Sequence, residues 1–215
     1  MKVHILSELA HVAPNYQTRI LTGSVLNQPT SDALWAEINI QIQMLRKYWD
    51  VDSIKKWDPV FAMRQLYKRL GKDPNRYRPS SEALMRRILL GKDLYRINTL
   101  VDLVNLLSIQ SGLCIGAFDL DRIVGTQIDL GVGRSGEPFE AIGRGSLNVE
   151  GLPVYRDAFA AIGSPTSDVV RTSIQLETRR LLLVLHSAEG DQGLDEALED
   201  ARRLLCTYAG FRAME

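Results

Sequence analysis

The stretch INTLVDLVNLLSIQSGLCIGAFDLDRI, residues 97–123, decides the fold, because its hydrophobic period changes once along its length. From Asn98 to Gly112, Leu100, Leu103, Val104 and Leu107 recur at spacings of three and four, which predicts a helix with one buried stripe. Past Gly112, Cys114 to Phe118 forms a short apolar run that predicts a buried strand. Upstream, the helical period dominates. Thr30 or Ser31 is expected to cap a helix with Asp32 in its first turn and Leu34, Ile38, Ile42, Leu45 and Trp49 on one face. Asp58 as cap, Pro59 and Gly71 bracket a second helix, and Arg78-Pro79-Ser80-Ser81-Glu82 opens a third, capped by a serine, that runs to about Leu90. Downstream, Thr126 to Val132, Phe139 to Ile142, Ser146 to Val149 and Leu181 to His186 read as strands joined by tight turns. One or two more strands fall in the first 25 residues, and an amphipathic helix from Leu194 to Tyr208 closes the chain before Gly210. Helices first and strands later predict a layered α+β domain rather than alternating βαβ units.

The composition sets limits on function. With 215 residues and 45% hydrophobic content, the chain can bury one substantial core. Cys114 and Cys206 lie far apart and neither belongs to a CxxC pair, so neither a disulfide framework nor a zinc site is expected, and a reducing cytoplasm fits. His4, His11 and His186 show no metal-ligand spacing, and no cofactor motif occurs. No apolar run approaches the roughly 20 residues that span a bilayer, so no membrane partner is expected. The net charge is zero, yet residues 46–96 hold 14 Lys and Arg against 6 Asp and Glu. That local excess permits a polyanionic partner, and solvated helix faces would produce it equally well.

Two polar segments stand out where no P-loop, GxSxG elbow or HExxH is present. Arg78 to Glu82 brings hydroxyls and free amide groups to a predicted helix N-terminus, which suits a phosphate or carboxylate as readily as it makes an ordinary helix start. Gly163-Ser164-Pro165-Thr166-Ser167-Asp168 is a hydroxyl-dense loop with one carboxylate, and an ordinary surface turn has the same composition. Asp119 and Asp121 are assigned to turn formation and pairing with Arg122 rather than to acid–base chemistry.

Taken together, YRPSSEALMRR (77–87), residues 97–123, GSPTSD (163–168) and RTSIQLETRRLLLVL (171–185) resemble the tRNA-editing (B-three/B-four) domain of the phenylalanyl-tRNA synthetase beta subunit. The likeness runs from about Gly71 to Ser187 and is greatest to single-domain relatives of that module. It implies a layered, β-sandwich-like core with flanking helices and a pocket that handles aminoacyl-tRNA. On this reading residues 1–215 form one domain. Residues 71–187 are the matching core, 1–70 are strands and helices packed on it, and 188–215 supply the closing helix.

The resemblance also implies a set of site residues. Val104-Asn105 replaces a Thr-Asn pair and Gly116-Ala117 replaces His-Ala. Gly163-Ser164 lies opposite a glycine pair, and Val184 stands where a glutamate reads the tyrosine hydroxyl. Loss of that reader removes tyrosine specificity, and Gly116 is expected to open space. The catalytic candidates are Asn105, Ser164, Thr166 and Asp168, acting on water. Ser80, Ser81, Glu82, Val104, Gly116, Ala117, Gly163 and Val184 are expected to bind substrate, and Arg76, Arg78, Arg86 and Arg87 to contact RNA. The function implied is hydrolysis of a mischarged tRNA in trans, with a non-catalytic tRNA- or amino-acid-binding module as the alternative. A DNA partner is not expected, and the oligomeric state is not legible.

Overall fold

The computed structural model describes residues 1–214. Its organising element is a strand, β10 (Arg180–Ser187), that is buried on both faces. It pairs antiparallel with β2 (Gln17–Ser24) on one side and β3 (Cys114–Asp119) on the other. A short strand β11 (Arg212–Ala213) extends this four-stranded sheet beyond β2. Successive residues of a strand point to opposite faces. Accordingly, Leu181, Leu183 and Leu185 pack into a helical core, while Leu182 and Val184 join a second core beneath.

The helical layer holds α2 (Asp32–Tyr48), α4 (Ser80–Leu89), α5 (Thr99–Ser111) and α6 (Leu194–Ala209). The second core is closed by a five-stranded sheet. Its order is β1 (Lys2–Ile5), β4 (Gln127–Val132), β7 (Pro153–Arg156), β8 (Ala161–Ser164) and β9 (Ser167–Asp168). Helix α3 (Asp58–Arg69) contributes Met63, Leu66 and Tyr67 to that second core. A six-residue helix α1 (Ser7–Val12) and a hairpin of β5 (Glu140–Ala141) with β6 (Gly145–Ser146) complete the described elements. The layers run helices, sheet, sheet. Each fully buried leucine of β10 contributes about 1.5–3 kcal/mol by leaving water.

Local chemistry accounts for the helix bounds. Ser31 accepts the Leu34 amide at 3.2 Å and Asn98 accepts that of Val101 at 3.1 Å, capping α2 and α5. Gly112 stops α5 at φ +73°, a conformation that costs glycine little. Two expected caps are absent. Trp57, not Asp58, flanks α3, and Pro79 flanks α4, so Ser80 is already the first helical residue. Residues 1–70 are also more than a layer packed on a core: β1 pairs parallel with β4, and β2 pairs with β10 inside the middle sheet.

Candidate functional site

The serine-led helix and the hydroxyl-rich segment meet. The Ser80 amide donates to the Pro165 carbonyl at 2.8 Å, joining the start of α4 to the turn between β8 and β9. Beside this junction lies a cavity of about 290 Å3 between α4, α5 and β3. Its walls include Ser80, Leu84, Val101, Val104, Asn105, Ile115, Ala117, Asp168 and Ile174. The cavity continues outward into a groove of about 550 Å3, reached past Ser80, Leu84, Ile97, Asn105 and Ile142 and edged by Arg87, Tyr95 and Arg144. An apolar recess with a few polar groups on its wall is the usual form of a small-ligand site.

Asp168 is the titratable group of this wall. Burial pushes its carboxyl up to about 7, although the Ala117 amide donates to it and works in the opposite direction. Its seat depends on glycine: a Cβ on Gly163 would lie 2.6 Å from Asp168 Oδ1 and 2.9 Å from Phe118 Cζ. Gly163 therefore acts behind the wall, by leaving room for the carboxylate. Asn105 sits one helical turn from Val101 on the same lining face of α5 and reaches both the cavity and the groove.

The hydroxyls of Ser164 and Thr166 are both engaged inside the protein. Ser164 Oγ accepts the amides of Thr166 and Ser167 at 3.1 and 3.3 Å. Thr166 Oγ1 shares a 2.8 Å hydrogen bond with the buried Tyr67 hydroxyl. Their expected role on water is corrected accordingly, since the Ser164 hydroxyl is engaged within the turn and the Thr166 hydroxyl ties the turn to Tyr67 of α3.

Several other expected site residues turn away from the cavity. On α4, Ser80, Ala83, Leu84 and Arg87 line the cavity or its groove, whereas Ser81, Glu82, Met85 and Ile88 are buried on the opposite side. Ser81 Oγ lies 3.6 Å from Cys114 Sγ. Glu82 accepts Arg64 Nη1 at 2.9 Å on each oxygen, with Arg78 Nε at 3.6 Å. A carboxylate held this way is a fixture of the core, not a substrate ligand. Val184 is 1% exposed in the core between the sheets, paired in register with Gly116. Gly116 opens no space, because a Cβ there would stand 2.9 Å from Phe118 Cζ. Of the arginines, Arg87 edges the groove, Arg78 is turned toward Glu82, Arg76 is exposed beside the Tyr77 ring, and Arg86 is off the lining face.

Residues that the sequence reading passed over complete the lining: Tyr95, Ile97, Ile142, Arg144, Ser173 and Gln175. Exposed Tyr95, Ile97 and Ile142 are large apolar side chains in connecting segments, which is the one signal that could have marked them. Asp119 follows the expectation made for it. It accepts the Asp121 amide at 3.1 Å and the Thr178 hydroxyl at 2.8 Å, with Arg122 Nε at 3.7 Å.

The fold is a layered α+β sandwich with a recess, one wall of which is a helix start and another a tight hairpin. The B3/4 domain model matches residues 62–210, and the chain belongs to this family. In three dimensions it is similar to the crystal structure of an N-terminal fragment of the phenylalanyl-tRNA synthetase beta subunit from Pyrococcus horikoshii. The TM-score is 0.53 at 14% identity, over 99% of this chain and 50% of that fragment. At that identity the likeness concerns the fold, and the chain spans half the fragment's length. A search of the curated proteins returns no match. No described helix is long and apolar enough to cross a membrane.

Proposed function

We propose that this chain binds the aminoacylated end of a tRNA and hydrolyses the ester, releasing the amino acid from a mischarged tRNA, in the cytoplasm. One observation carries the reading: Asn105 and Asp168 share the wall of an apolar recess that opens into a wider groove edged by Arg87 and Arg144. The recess suits an amino-acid side chain, and the groove gives the nucleotide end a cationic edge. The apolar lining, built from Leu84, Val101, Val104, Ile115 and Ile174, favours an amino acid without a distal hydroxyl.

In this reading Asn105 orients the ester through its amide. Asp168, with its carboxyl near 7, takes a proton from water as that water attacks the carbonyl carbon. The ester C–O bond then breaks, and the proton passes to the departing ribose oxygen. Positioning of this kind requires no covalent intermediate. Membership of the B3/4 family and the fold shared with a synthetase beta-subunit fragment support the choice of substrate class.

A panel of misacylated tRNAs tests the proposal. At least one is expected to lose its amino acid faster with the protein than in buffer, and Asn105→Ala should slow that loss on the order of 100-fold while the chain stays folded. Salt-sensitive tRNA binding without accelerated deacylation would leave a binding module and remove the catalytic step. With neither binding nor turnover, the site's assignment to tRNA fails.

A further inference from the structure

We infer that Tyr95 and Arg87 form a stacking platform for the terminal adenine base of the tRNA bound at this site. This rests on the proposed function and specifies where the last nucleotide sits. Tyr95 lies between α4 and α5, on the loop that follows Gly91, and lines the outer groove. Tyr95 is 69% exposed, one of the most exposed large hydrophobic residues described. The Arg87 guanidinium carbon lies 4.4 Å from the ring centroid, covering one face. Arg87 is held there by a 2.8 Å hydrogen bond from its Nε to the Asp93 carbonyl. The contact is thus present in the free protein, and Tyr95 stays largely exposed with Arg87 against its ring.

Exposing a large aromatic side chain has no folding benefit, since burial would stabilise the chain. An open aromatic face backed by arginine is a characteristic surface for an unstacked base, because every base presents a π-face and the cation strengthens the stack. The position fits the substrate. The groove shares Ser80, Leu84, Val101 and Asn105 with the inner cavity, so an adenosine on Tyr95 can direct its esterified ribose toward Asn105 while the amino acid enters the recess. Exposed Ile97 and Ile142 also border the groove, supplying apolar contact beside the base. Arg144, exposed on the connection between β5 and β6, offers a cation for the phosphate that precedes it.

The test crosses a protein change with an RNA change. Binding of an RNA hairpin ending in CCA, and of the same hairpin shortened by its terminal adenosine, is measured for the native chain, Tyr95→Ala and Tyr95→Phe. The native chain is expected to bind the full hairpin roughly tenfold more tightly than the shortened one. Tyr95→Ala should abolish that preference, and Tyr95→Phe, which retains the π-face, should keep it. A native preference that survives in Tyr95→Ala overturns the inference while leaving the function intact, and so does equal binding of both hairpins by the native chain. Failure of the native chain to bind either hairpin removes the functional assignment and the platform together. Thermal unfolding of each variant confirms that exposed Tyr95 was replaced without loss of the fold.

Discussion

Replacing Asp168 by asparagine keeps an acceptor for the Ala117 amide and removes the charge, which isolates the effect of burying a carboxylate at the cavity wall. The carboxyl's ordinary value is 3.8, and burial raises it to about 7. A group that holds its proton more tightly when folded gives the folded chain more bound protons than the unfolded one. Stability therefore falls as pH rises across that interval. At about 1.4 kcal/mol per pH unit, the full cost above pH 7 reaches about 4 kcal/mol, and roughly 1.5 kcal/mol of it is already present at pH 5. The advantage of Asp168→Asn over the native chain should thus grow by about 2–3 kcal/mol between pH 5 and pH 8. Urea unfolding of both proteins at pH 5, 6, 7 and 8 measures this difference, and contributions from all other titrating groups cancel in it. In parallel, native deacylation should rise through pH 7 as the base form appears, while the variant shows no such rise. A stability difference that stays constant from pH 5 to pH 8 would refute the argument, for it would mean that the carboxyl is hydrated and titrates normally.

Three further outcomes follow from the packing. Arg64→Met should cost about 3–5 kcal/mol in urea unfolding, because it strands the buried Glu82 carboxylate that Arg64 holds at 2.9 Å. Gly163→Ala should displace the Asp168 carboxylate, since its Cβ would lie 2.6 Å from Oδ1. A deacylation rate lowered on the order of tenfold or more in a chain that still unfolds cooperatively would register that displacement. A thiol reagent should modify one cysteine in the native chain and two after denaturation. Cys206 is exposed, whereas Cys114 is buried and its thiol is pushed up by that burial, so only the former is open to the reagent.

The parts of the fold that were legible in the sequence are those with local punctuation. Asn98 and Gly112 bound α5 through side-chain capping and a left-handed backbone, interactions made within a few residues. The strands of the five-stranded sheet were read less completely: β7, β8 and β9 were missed, because each is at most four residues long and lacks a usable period, and Gly163 to Asp168 was read as one loop. The candidate site failed where facing mattered. Val184 was placed in the pocket by its alignment with the family's glutamate, and because both faces of β10 are buried, alternation in its sequence gave no independent indication of direction. Gly116, aligned with the family's histidine, opens no space because the Phe118 ring closes over it. Glu82 was expected to bind substrate and Arg78 to contact RNA because Arg64, which holds the Glu82 carboxylate beside Arg78, lies on another helix, a pairing set by tertiary packing. The meeting of α4 with the β8–β9 hairpin was suggested only by family resemblance, since no local signal joins Ser80 to Pro165.

The parallel pairing of β1 with β4 has a bearing on biosynthesis. His4 and Asp129, opposite one another in that ladder, are separated by 125 positions. At roughly 5–20 residues per second, a ribosome needs about 6–25 s to make the intervening chain. Throughout that time residues 2–5 wait with their backbone groups unmatched, so the outer edge of the five-stranded sheet is completed by a segment made well before its partner. Slowed elongation across residues 6–126 would prolong this interval and expose the unmatched segment to aggregation or chaperone capture.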